Sequence, residues 1–172
     1  MSTEPAPTPN QVYAQPEGQR QPLAITIRQA VLADLDALAS LFDLYRQFYA
    51  KPSDLAAGRE FLRQRFEHGE SVMFIAAQDG APLGFAQLYP SFSSSSLARK
   101  FILNDLFVLE AGRKRGIGKA LLDAAADYGR ALGACALNLS TAHSNDTAQA
   151  LYRANGWEPD EVFRQFNLRL WP

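Results

Sequence analysis

Arg113-Lys114-Arg115-Gly116-Ile117-Gly118-Lys119 is the stretch on which the reading of this chain turns. It follows an apolar run, F-I-L-N-D-L-F-V at 101–108, and leads into an alanine- and leucine-rich run at 117–132. Glycines at such a strand-to-helix junction let the backbone turn tightly and come close to a ligand. The first amides of the helix have no intrahelical acceptor, and the helix dipole favours an anion in front of them. Arg113, Lys114, Arg115 and Lys119 add four positive charges, and no acid lies between Glu110 and Asp123. These residues form a phosphate cradle on physical grounds; a solvated basic turn capped by glycines is the alternative they also allow.

Two familiar nucleotide motifs fail here. A P-loop sets its second glycine five residues after its first and follows it with Lys and Ser/Thr. Gly112 and Gly118 are six apart, and Ala120 stands where the magnesium-binding hydroxyl belongs. The dinucleotide fingerprint G-x-G-x-x-G lacks its third glycine, because Leu121 occupies that position.

Outward from the loop, the chain alternates strand and helix signals. A strand is expected at 24–28. Leu35, Leu38, Phe42, Tyr45 and Tyr49 recur at three- and four-residue steps on one helix face, Pro52 ends that helix, and 55–66 forms a second, more charged one. Residues 72–77 and 83–89 read as strands joined by the turn Asp79-Gly80. Residues 90–96, P-S-F-S-S-S-S, read as a flexible loop, and 101–108 as the most apolar and hence a central strand. Gly133 closes the helix at 117–132; 134–140 is a strand, a helix runs from Ser144 or Asn145 to about Asn155, and 162–170 alternates as a last strand. The order β-α-α-β-β-β-α-β-α-β predicts an α/β fold, a mixed central sheet with helices on both faces.

Composition bounds the function. With 172 residues, 47% hydrophobic and 20% charged, one domain with a full core is expected. Residues 1–22 hold five of the ten prolines and almost no large aliphatic side chain, so they read as a disordered tail ahead of a domain at 23–172. Seventeen basic against eighteen acidic residues argue against a nucleic-acid binder. No stretch approaches the ~20 apolar residues of a membrane span, and the N-terminus lacks a signal-peptide pattern, so a cytoplasmic protein is expected. Cys135 is the sole cysteine, set in an apolar run where packing is its expected role. His68 and His143 show no metal-ligand spacing, and no metal is expected.

Arg113-x-x-Gly116-x-Gly118 resembles the pyrophosphate-binding motif Q/R-x-x-G-x-G/A of the GCN5-related N-acetyltransferases (GNAT). The resemblance extends over nearly all of 24–170: I-R-Q-A at 27–30, L-N-D-L-F-V at 103–108, and N-D-T-A-Q-A-L-Y-R-A-N-G-W at 145–157. It implies acetyl-CoA as cosubstrate, bound where two neighbouring parallel strands splay apart. Backbone groups of Leu106, Phe107 and Val108 would meet the pantetheine arm, and amides from Arg115 through Gly116, Ile117 and Gly118 to Lys119 the pyrophosphate. Asn145 would contact pantetheine, with an N-cap of its own helix as a compatible second role. Tyr152 would protonate the departing thiolate; a plain core aromatic is the alternative.

Asn104-Asp105 resembles the acidic or Asn-Asp pair of the polyamine, diamine and histone/polyamine-type members. The diamine enzymes carry Glu where this chain has Asn104, which leaves Asp105 as the main candidate base and His143 as a second. An acid satisfied by backbone donors is the other reading of Asp105. Tyr45, Phe48, Tyr49 and the loop 90–96 are the expected acceptor site. The resemblance implies a small-molecule amine acceptor. An acyl-CoA sensor without turnover, or transfer to a protein amine, fits the same residues. Phe163, Phe166 and Trp171 suit either a homodimer interface or a buried edge within one subunit.

Overall fold

The computed structural model describes residues 24–170; the tail at 1–22 lies outside them. Five strands form one mixed sheet in the order β1 (Ile25–Gln29), β2 (Val72–Gln78), β3 (Ala81–Ser93), β4 (Ala98–Val108) and β5 (Ala136–Leu139). The first four are antiparallel neighbours, and β5 lies parallel to β4. Helices α1 (Leu35–Phe48) and α2 (Leu55–Glu67) cover one face; α3 (Ile117–Ala131) covers the other, where Leu151 and Tyr152 of α4 (Asp146–Ala154) also pack. Coverage on both sides explains why β2 reads V-M-F-I-A-A without alternation. Met73 and Ile75 face α1, while Phe74 and Ala76 face α3.

The β2–β3 turn forms where Asp79-Gly80 announces it, with both residues at positive φ (51° and 78°) as a tight hairpin turn requires. The α1–α2 corner is tied by Asp43. Its buried carboxylate accepts from Ser53 Oγ at 2.7 Å, Asp54 N at 2.8 Å and Gln47 Nε2 at 2.9 Å, and these donors hold its pKa below the ordinary carboxylate range. This knot fixes the end of α1, which carries Tyr45, Phe48 and Tyr49.

Three expectations are corrected. Residues 90–93 belong to β3, because the ribbon of β3 and β4 continues through Pro90↔Phe101 to Ser93↔Ala98 before turning. Residues 162–170 form no strand: Phe163, Phe166, Leu168 and Leu170 are all largely exposed and nothing in the sheet pairs with them. Cys135 is exposed, since it precedes β5 at the surface of the crossover.

Opposite Leu88 of β3 stands Leu103, but opposite Gln87 stands Asp105, so Asn104 is an extra residue in β4. This bulge reverses the side-chain parity of the strand. Phe101 and Leu103 before it face α3, whereas Phe107 after it faces α1, with Leu106 and Val108 on the α3 side. Pairing with β5 stops at Leu103↔Leu139, directly before the bulge. Beyond it, among the described residues, β4 keeps only β3 as a neighbour. Gly84 allows this bent segment to sit close: a Cβ there would stand 2.6 Å from the Phe107 carbonyl oxygen and 3.2 Å from Val108 Cα. Gly84→Ala is therefore expected to destabilise the protein by roughly 2–3 kcal/mol, which calorimetry would register as a Tm about 5–10 °C lower.

Candidate functional site

The parting of β4 from β5 opens a cleft of about 450 Å³. Leu106 and Val108 form its wall, the loop and first turn of α3 one end, α4 a side, and the end of α1 the other end. The cradle is built by backbone. Lys114 and Gly116 both take positive φ (58° and 78°), a turn that aims successive amides inward. The first helical bond of α3 runs from Ala120 N to Gly116 O at 3.0 Å, so the amides of Ile117, Gly118 and Lys119 precede it. Gly118 also permits α3 and α4 to meet: a Cβ there would lie 3.0 Å from Leu151 Cδ2.

Arg113, Lys114 and Lys119 line the same end. Arg113 Nε donates to the Val108 carbonyl at 3.3 Å, and Lys119 pairs with Asp123 at 2.6 Å. Arg115 is turned away: its guanidinium donates to Gln78 Oε1 at 2.8 Å. The Phe107 side chain likewise leaves the cleft for the α1 face. Asn145 lines the cleft and caps α4, its Oδ1 accepting from Ala148 N at 3.2 Å, so its amide nitrogen is the donor left for a ligand.

At the far end Asp105, 4% exposed, lies on the α1 side because of the bulge. Burial raises its pKa, opposed by the neighbouring Tyr45 hydroxyl and by a hydrogen bond from Asn104 Nδ2 at 3.1 Å. Tyr45 is raised in turn by burial and by the Asp105 charge. Tyr152 is raised by burial and by Tyr49, which keeps its phenol protonated. Tyr45, Tyr49 and Tyr152 thus cluster at this end of the cleft, with Tyr45 beside the Asp105 carboxyl. Such a constellation can accept a proton at Asp105 and donate one at Tyr152.

Of the residues expected from the sequence, Leu106, Val108, Arg113, Lys114, Gly116, Ile117, Gly118, Lys119, Asn145, Tyr152, Tyr45, Phe48 and Tyr49 line this cleft together. His143 lines a separate depression with Gln149 and Trp157, reached by the other side of Tyr152. The segment 90–96 does not line the cleft. Tyr89 and Gln87 were not anticipated. Gln87 is fully buried opposite Asp105, donates to Ser71 Oγ at 2.8 Å and leaves its Oε1 unpaired; a glutamine inside an apolar run was the available signal. Among the described residues no group of His, Cys, Asp and Glu could hold a metal, and no helix is long and apolar enough to cross a membrane.

The profile of the Acetyltransferase (GNAT) family matches residues 38–157. An uncharacterized N-acetyltransferase of Bacillus subtilis (strain 168), YhfO, is 47% identical over 146 residues, covering 85% of this chain and 98% of its own. A crystal structure of a probable acetyltransferase superposes with a TM-score of 0.82 at 40% identity, over 86% of this chain and 99% of that one. The aminoglycoside N-acetyltransferase AAC(6')-Iy, solved in complex with CoA, gives a TM-score of 0.69 at 25% identity over 87% and 98%.

Proposed function

The chain belongs to the GNAT acetyltransferase family and is an acyltransferase of that type; from that premise we propose that it uses acetyl-CoA to acetylate a primary amine of a small molecule by direct attack. The observation that carries this reading is the single cleft joining the amides of Ile117, Gly118 and Lys119 at one end to Tyr45, Tyr49 and Tyr152 at the other, with the buried Asp105 carboxyl next to Tyr45. Acetyl-CoA supplies the reactive thioester when bound. The amides and Arg113, Lys114 and Lys119 hold its phosphates, the unpaired edge of β4 at 106–108 offers backbone groups to the pantetheine, and Asn145 adds a donor. An alkylammonium must lose its proton before it can attack, since its pKa is ~10.4. Asp105 takes that proton, directly or through water, and burial makes it a stronger base than an exposed carboxylate. The phenol of Tyr152 gives a proton to the departing sulfur.

Thermal denaturation with acetyl-CoA tests the binding step. Saturation at about 100 times Kd stabilises by roughly 2.7 kcal/mol, a rise of about 5–10 °C in Tm. Gly116→Val, which forces a β-branched residue into a left-handed turn, is expected to lose most of that rise. A Tm indifferent to acetyl-CoA would overturn the reading.

The reading extends to a homodimer in which 162–170 pairs with the free edge of β5 in a second copy. Support comes from the alternation of Phe166, Leu168 and Leu170 with polar residues, all three exposed by more than 80%, and from a sheet edge with no neighbour among the described residues. Light scattering should give twice the chain mass, falling to one chain mass on truncation after Asp160. A full-length monomer would instead assign the segment to its own sheet.

A further inference from the structure

We propose that the acceptor is a monoamine, one ammonium carried on a flat apolar body, and not a polycation. This rests on the acetyltransferase reading and narrows it. The acceptor end is walled by Tyr45, Phe48, Tyr49 and Tyr152, whose rings meet edge to face: Tyr45 and Tyr49 at 5.1 Å, Phe48 and Tyr49 at 5.2 Å. Phe48 is 58% exposed and Tyr49 45%. Large aromatic faces left open at the mouth of a cleft offer stacking area to an apolar ligand and a π-face to one cation.

Acidic groups are correspondingly few. Among the described residues none that lines the cleft is acidic, and Asp105, the carboxyl next to the lining residue Tyr45, is buried. The neighbouring acids are engaged elsewhere. Asp43 is consumed by Ser53, Gln47 and Asp54 N, and Glu70 by Arg65. Tyr89, raised to about 12 chiefly by burial and then by Asp105, feels Arg65 and Glu70 as an opposed pair. The lining cations, Arg113, Lys114 and Lys119, all lie at the α3 end. A substrate with three or more ammonium groups would place one near Asp105 and bring the rest against aromatic faces with no further carboxylate to pair them, with like charge further along. The site thus differs in charge from what a polycationic aminoglycoside demands.

Initial rates of CoA thiol release, measured with the full chain and acetyl-CoA, separate the classes. The amines are 2-phenylethylamine, spermidine and kanamycin. The expected kcat/KM for phenylethylamine exceeds that for either polycation by about 30-fold or more, the scale set by leaving buried polar groups unpaired. Phe48→Ala is expected to raise KM for phenylethylamine about tenfold with kcat nearly unchanged, the pattern of lost ground-state binding, and to leave the acetyl-CoA thermal shift intact. Equal or faster transfer to spermidine or kanamycin overturns the monoamine inference and leaves acetyl transfer standing. Acetyl-CoA binding with thiol release from none of the three overturns the inference and the transfer reading together.

Discussion

Asp105→Asn should lower kcat/KM by about 10²- to 10³-fold and at the same time leave Tm unchanged or higher at pH 8. The two effects share one cause. Burial raises the folded pKa of this carboxyl above its unfolded value. Below the ordinary carboxylate range both states are protonated and the fold has its full stability; as pH rises through the raised value, the folded state must carry a charge it solvates poorly, and stability is lost. An amide has the same shape and no charge to bury, so the variant escapes that loss while forfeiting the base. The stability difference should shrink toward zero near pH 3. In the pH–rate profile, the acid limb set by Asp105 should disappear. Near-normal turnover by Asp105→Asn would remove Asp105 from the chemistry. A variant that melts several degrees lower at pH 8 would show that the carboxylate supports the fold.

Tyr152→Phe should lower kcat by about 10²-fold while acetyl-CoA affinity stays within a factor of about two, since a general acid acts only as the sulfur departs. Packing gives little reason for a loss of stability: the ring contacts Trp157 at 6.2 Å between centroids, and phenylalanine keeps the ring. Burial and the neighbouring Tyr49 hold the phenol above its ordinary pKa, so the wild-type rate should show no downturn from Tyr152 ionisation up to about pH 9, short of the ordinary phenol value near 10. Single-turnover measurements and calorimetric titration of acetyl-CoA would separate the two quantities. A kcat within twofold of wild type would reduce Tyr152 to a wall of the cleft.

The strand–loop–helix unit around Gly116 was legible because its signals are local: an apolar run, glycines, then apolar residues at helical spacing. Asp79-Gly80 was legible for the same reason. The bulge was not. L-N-D-L-F-V looks like a regular strand, and the insertion of Asn104 appears only when β4 is counted against β3. So the sequence named Asp105 but not the α1 face on which it lies or its place beside Tyr45. Pro90 and the serines after it carry turn chemistry, yet the long ribbon overrides them through Ser93, as strand pairing can override local preference. At 162–170 the alternation is real, but alternation alone does not make a strand, and this segment leaves the edge of β5 unpaired within the chain. Cys135 sits among small apolar residues whose position over the surface no pattern could reveal.

The one-residue miscount between β3 and β4 divides the cleft into parts that answer to different kinds of mutation. In the proposed function the donor half is assembled from main-chain amides and a bent strand, so most side-chain exchanges would leave it in working order. The acceptor half would be the ring faces of Tyr45, Phe48 and Tyr49 at the tip of a helix, where a single codon change rewrites shape and charge. A scaffold so partitioned can be retrained for a new amine without relearning how to hold its acyl donor, and an engineer would begin at position 48.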